Sequence, residues 1–217
     1  MSDILKLVVS LFIVGLVGVG IFDYVKLHEE NGCEMTWMYE YPEYLKVDVG
    51  RKVSEAYPKY NLYLYGEGSY AGRIRSLKLD GVPVLFIPGN AGSYRQVRSL
   101  GSVSLRKSEN IKNKIQFNYF SIDFNEEFSG LYGGVLKDQT EFVNECIKKI
   151  LSFYKSSKSP PSSVILVGHS MGGVIARALF TLSEFNINHV NTIITQSTPH
   201  QSPGMYYRTP TLLNVPQ

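Results

Sequence analysis

Cysteine is scarce in this sequence. Only Cys33 and Cys146 occur, and they fit no metal-ligand spacing. No metal and no cofactor is therefore expected. The two thiols can pair in an oxidising compartment or both stay reduced and buried, and the sequence leaves both open. Charge of one sign is also scarce. The formal net charge is +3, with no block of Lys or Arg, so nucleic-acid binding has no compositional support. No Asn-x-Ser/Thr sequon occurs, so glycosylation gives no clue to the compartment. What is present is an ordinary globular complement. The 44% of hydrophobic residues argues against disorder. A length of 217 residues suits one domain, or one domain plus an anchor.

The first charge-free stretch is N-terminal. From Leu7 to Phe22 the residues are apolar or small. With Ile4, Leu5 and a snorkelling Lys6, the run approaches the roughly 20 residues that span a bilayer. Asp23, Lys26, His28, Glu29 and Glu30 close it. It is long for a signal-peptide core and lacks a clean small-x-small cleavage site, which favours an uncleaved signal-anchor over a cleaved signal. Lys6 and the amino terminus favour a cytosolic N-terminus, placing the residues after Asp23 in the lumen. The expected division is 1–30 for the anchor and its flank, 31–59 for an aromatic-rich juxtamembrane segment, and 60–217 for a folded domain.

The chemistry centres on Val164-Ile165-Leu166-Val167-Gly168-His169-Ser170-Met171-Gly172-Gly173. An apolar strand enters G-x-S-x-G and a helix follows. This is the pattern of a nucleophile elbow, with Ser170 at its apex and glycines where strand and helix pass closely. A serine hydroxyl needs a base, a carboxylate to orient that base, and N–H donors for the developing oxyanion. The Met171 N–H is one such donor. The other comes from the turn after the apolar run Val82–Ile87, where Pro88-Gly89-Asn90-Ala91-Gly92-Ser93 is small enough for close approach to substrate. Asn90 N–H is the first choice there and Ala91 the second.

Further strands are read near residues 60, 75, 116 and 191, with helices over about 94–105, 135–154 and 174–180. The acidic turn Asp123-Phe124-Asn125-Glu126-Glu127 sits at a strand end, where α/β folds build pockets. Asp123 either shapes that pocket or caps neighbouring N–H groups. It is not assigned as the catalytic acid, which follows the nucleophile in this fold. His200 ends the Thr198-Pro199-His200 turn after the last strand. It is a pocket candidate, out of the usual chain order for a base. The fold class is α/β, an α/β-hydrolase fold preceded by one transmembrane helix. Counting strands gives only the N-terminal part of that fold, with the last strands missing and the acid and base expected beyond Gln217.

Several stretches together resemble the GPI inositol-deacylase family of endoplasmic-reticulum membrane hydrolases. They are Met35–Tyr44, Phe86–Gln96, Asp123–Glu127, Gly168–Gly173 and Ile193–His200. The Pro-Gly-Asn-Ala-Gly-Ser and Asp-Phe-Asn-Glu-Glu stretches carry the specificity, because the elbow alone fits any lipase. The resemblance implies removal of the fatty acyl chain from the inositol of GPI anchors, aiding export of GPI-anchored proteins. It implies Ser170 as nucleophile, and GPI-anchored proteins, their acylated inositol lipid and the membrane as partners. The alternatives are a general lipase or thioesterase, or a non-catalytic truncated form that binds GPI-linked proteins.

Overall fold

The computed structural model describes residues 3–27, 41–77, 79–110, 115–130, 134–157 and 159–201. His28 and Cys33 lie outside them, as do the first residues of the aromatic-rich stretch. The chain divides into two compact units, Met1–Thr36 and Trp37–Gln217.

The first unit holds helix α1, Asp3–Leu27. Every described side chain on it is exposed. Among the described residues it is the helix long and apolar enough to cross a membrane. At about 1.5 Å per residue, 25 residues exceed the hydrocarbon thickness.

The second unit is a six-stranded mixed sheet in the order β1-β2-β4-β3-β5-β6. The strands are β1 Pro42–Val47, β2 Asn61–Glu67, β3 Val82–Ile87, β4 Phe117–Asp123, β5 Val164–His169 and β6 Val190–Gln196. β1 and β2 run antiparallel, as do β2 and β4. The pairs β3–β4, β3–β5 and β5–β6 are parallel. In β3, consecutive residues from Pro83 to Ile87 are all buried. Neighbouring strand residues point to opposite faces, so both faces of the sheet are covered, as a parallel sheet requires. The helices are α2 Arg51–Ala56, α3 Gly68–Arg75, α4 Arg98–Asn110, α5 Gly134–Phe153 and α6 Met171–Ala178; α2 buries no residue, and the cover comes from the other four. In α5 the buried stripe Phe142, Val143, Cys146, Ile147 and Ile150 follows helical spacing. Cys146 is a buried free thiol, and burial pushes its pKa well up.

Three sequence expectations change. The strand expected over Ile74–Leu79 is instead helix α3 up to Arg75. Tyr70, Ala71 and Ile74 form its buried face, and Ile74 packs where Gly66 of β2 has no side chain. The helix expected from Tyr94 begins as a 3-10 turn over Tyr94–Val97 before α4. The segment 31–59, read as a juxtamembrane linker, supplies edge strand β1, so the sheet starts ahead of residue 60. Pro42 is its first residue, a position where a missing N–H costs little.

Candidate active site

β5 carries the chain to Ser170, and α6 starts at Met171, three residues earlier than the sequence suggested. Ser170 itself sits at φ 52°, ψ −121°. A non-glycine residue there stores strain, and such residues persist where surrounding structure holds them. The holding contacts are clear. Ser170 N–H donates to the Gln196 carbonyl of β6 at 2.8 Å, and Gly173 N–H donates to the Ser170 carbonyl at 3.1 Å. A methyl on Gly168 would lie 2.5 Å from Gly173 N. One on Gly172 would drive into the carbonyl oxygen of Ile87, the last residue of β3. Strand, elbow and helix therefore fit only with glycine at both places.

The same crowding brings the β3 turn to the serine. A Cβ built on Gly89 would stand 2.6 Å from Ser170 Cβ and 3.2 Å from Ser170 Oγ. Asn90 follows at once and is exposed. Ala91 N–H is committed to the Glu127 carbonyl at 2.9 Å. Among the described residues, none accepts a hydrogen bond from Asn90 N–H. Met171 occupies the first position of α6, where helix geometry leaves the N–H without an intrahelical acceptor. Two backbone N–H groups without an acceptor among the described residues, those of Asn90 and Met171, thus sit in the turns next to Ser170.

Backbone strain marks the same end of the sheet. Among the described residues, the non-glycine residues at positive φ are Leu77, Ala91, Asn125, Glu126, Ser170 and Ser197. All but Leu77 lie in the turns that follow β3, β4, β5 and β6, which is where open α/β sheets bind ligands.

The other two candidates make their hydrogen bonds to residues other than Ser170. Asp123 Oδ1 accepts from Asn125 N–H at 3.0 Å, which is the capping role. His200 bridges Arg177 and Thr195: Nδ1 lies 3.3 Å from an Arg177 guanidinium nitrogen, and Nε2 lies 3.1 Å from Thr195 Oγ1. Arginine only donates, so Nδ1 is the acceptor in the first of these contacts. Both ring nitrogens thus have partners other than Ser170. Among the described residues no cluster of His, Cys, Asp and Glu could hold a metal ion. Sequence reasoning missed the lacing of the acidic turn to the β3 turn. Besides the Glu127–Ala91 bond, Gly130 N–H donates to Asn90 Oδ1 at 2.8 Å. The one signal for it was two polar turns at the ends of strands not yet known to be neighbours.

Comparison with known proteins decides the family. The model described as a PGAP1-like alpha/beta domain matches residues 78–212. The chain belongs to this family. The PGAP1-like domain so matched contains β3 to β6, the turn after β3 and the elbow. The chain is 57% identical over 188 residues to a GPI inositol-deacylase of Xenopus laevis, covering 87% of this chain and 20% of that protein. It is 55% identical over 194 residues to the GPI inositol-deacylase of Rattus norvegicus, covering 89% and 21%. The corresponding protein of Drosophila melanogaster is 42% identical over 198 residues, covering 89% and 20%. The chain thus spans about a fifth of the length of these curated relatives.

Proposed function

We propose that this PGAP1-like chain carries the catalytic serine of a GPI inositol-deacylase, a serine ester hydrolase. The observation that carries the reading is the strained Ser170 elbow, pressed against a β3 turn whose Asn90 N–H is unengaged among the described residues. Identity to GPI inositol-deacylases over most of the chain supports the choice of ester. Ser170 Oγ attacks the carbonyl carbon of the acyl chain on inositol and gives its proton to a general base. Met171 and Asn90 N–H take the oxyanion, each donor contributing about 3 kcal/mol. The C–O bond to inositol breaks, the inositol oxygen takes the proton, and water then releases the fatty acid from Ser170. The base and its carboxylate are assigned outside the described residues, none of which hydrogen-bonds the Ser170 hydroxyl; His200 has Arg177 and Thr195 as its partners. Asp123 caps the acidic turn after β4.

Helix α1 serves as an uncleaved signal-anchor in the endoplasmic-reticulum membrane, with the hydrolase domain in the lumen. Its length and the charge-free, exposed run from Leu7 to Phe22 support this, because a segment apolar on all sides is stable in lipid. The tether keeps the site near a lipid ester. The partners are GPI-anchored proteins and their acylated inositol lipid, and the consequence is their export. The decisive experiment is Ser170→Ala in the full-length membrane protein. GPI anchors in those cells are expected to keep the acyl chain and resist phosphatidylinositol-specific phospholipase. Anchors that remain sensitive would refute the catalytic reading. A general lipase or thioesterase would instead hydrolyse simple glyceride or thioester substrates at comparable kcat/KM.

A further inference from the structure

The acidic turn after β4 is tied into the body of the domain at one residue. The Glu127 carboxylate accepts from the Tyr60 hydroxyl at 2.6 Å and from the Gln139 side-chain amide at 3.3 Å, both through Oε2. Lys59 Nζ stands 3.7 Å from Oε1. Tyr60 is held in turn by Phe124 and Phe142, whose rings meet it edge-on at 5.3 and 5.4 Å. The Glu127 side chain is thus fixed by β2's entry and by α5, while its backbone faces the other way. The Glu127 carbonyl accepts the Ala91 N–H at 2.9 Å and the Ser129 N–H at 3.0 Å. Three residues on, Gly130 N–H holds Asn90 Oδ1, and a Cβ on Gly130 would crowd the Asn90 side chain at 3.2 Å. Ala91, Asn125 and Glu126 are all at positive φ, so neither turn would keep its shape unaided.

The geometry points to Glu127 as a positioning residue, which anchors the acidic turn through Tyr60 and Gln139 and so fixes the Asn90 N–H beside Ser170. This rests on the serine-hydrolase reading above. The physical reason is geometric. An oxyanion donor works only within about 2.7–3.1 Å of the charge it meets, and small misplacements cost catalysis rather than binding. Ala91's N–H is consumed by the anchor, which leaves its neighbour, Asn90, to face the site. Glu127 never touches the reacting atoms.

The test uses the full-length protein in membranes, with inositol-acylated GPI as substrate. Glu127→Ala and Tyr60→Phe are expected to lower kcat about tenfold while KM stays within about twofold. Glu127→Gln is expected to recover most of the loss, because a carboxamide oxygen still accepts the Tyr60 hydroxyl. Tyr57→Phe is the control. It removes a chemically similar bond, Tyr57 hydroxyl to Glu141 at 2.8 Å, which does not reach the acidic turn, so kcat is expected to hold. An unchanged kcat in Tyr60→Phe and Glu127→Ala, or an equal loss in Tyr57→Phe, overturns the inference. Tyr60→Phe deletes one oxygen and keeps the ring, so it remains decisive if Glu127→Ala fails to accumulate. Ser170→Ala in the same assay separates the two possible failures. If it abolishes turnover while the anchor variants do not, only the role of Glu127 is wrong. If it too leaves turnover intact, the serine-hydrolase reading falls as well.

Discussion

Ser170 holds a backbone conformation, φ 52° and ψ −121°, that costs a side-chain-bearing residue about 1–3 kcal/mol. The flanking hydrogen bonds to Gln196 and from Gly173 keep it there, and its hydroxyl is the return on that strain. Ser170→Gly and Ser170→Ala therefore make different predictions for stability and the same one for activity. Both are expected to abolish deacylation. The glycine variant escapes the Cβ strain and loses part of the gain to its freer unfolded chain. It is expected to melt about 2–4 °C above the alanine variant, measured by thermal unfolding of the purified proteins. Equal melting temperatures would mean that the elbow is unstrained.

At the scale of elements, the fit of α6 against β3 decides whether the site exists. Gly172 of α6 faces the carbonyls of Ile87 and Pro88, where a methyl meets rigid backbone. Gly172→Ala is expected to destabilise by at least about 1–3 kcal/mol and to reduce folded yield. Gly72 of α3 has nothing within 4 Å of the added atom, so Gly72→Ala is expected to stabilise by about 0.5–1 kcal/mol through helix propensity alone. Denaturant unfolding of both variants checks the contrast. A similar effect at the two positions would place the constraint outside the α6–β3 contact. The β3 turn is held on its far side too. Ser121 of β4 donates to the Tyr94 carbonyl at 2.8 Å, and the Tyr94 ring stacks on Tyr63 of β2 at 4.1 Å.

For the whole molecule, the buried Tyr60 and the half-buried Tyr57 are expected to set the alkaline limit of stability. Burial, then hydrogen bonding to Glu141, pushes Tyr57 up to about 12 from 10.0. Burial, then the bond to Glu127, raises Tyr60 further still. Both phenols hold their protons more tightly folded than unfolded. Their contribution to stability is complete below pH 10 and is lost as pH rises through about 12, because the unfolded chain there binds fewer protons. The melting temperature of the wild type is expected to fall across this window. The fall is expected to be shallower in Tyr60→Phe, which has one fewer proton to lose. A flat profile from pH 9 to 12 would show that these phenols are not coupled to folding.

Much of this protein is legible along the chain. The apolar runs of β3, β4, β5 and β6, the stripe of α5, the N-terminal apolar helix and the Ser170 elbow follow from period and composition, because each is a local pattern with one compatible geometry. The edge strand β1 is not legible, since Pro42-Glu43-Tyr44-Leu45-Lys46-Val47 is buried on neither face until Val47. Helix α3 is not either, because two glycines weaken its local preference and only the packing of Tyr70 and Ile74 selects it. The sequence alone determined that a serine would stand at a strand-to-helix turn, and nominated both Asn90 and Ala91 as its neighbours. Only the tertiary structure shows that the Ala91 N–H is already engaged. Strand order sets β3 between β4 and β5, so that Glu127 takes the Ala91 N–H and Tyr60 holds Glu127. Those residues are far apart in the chain, and no local pattern encodes a hydrogen bond that the sheet's order creates.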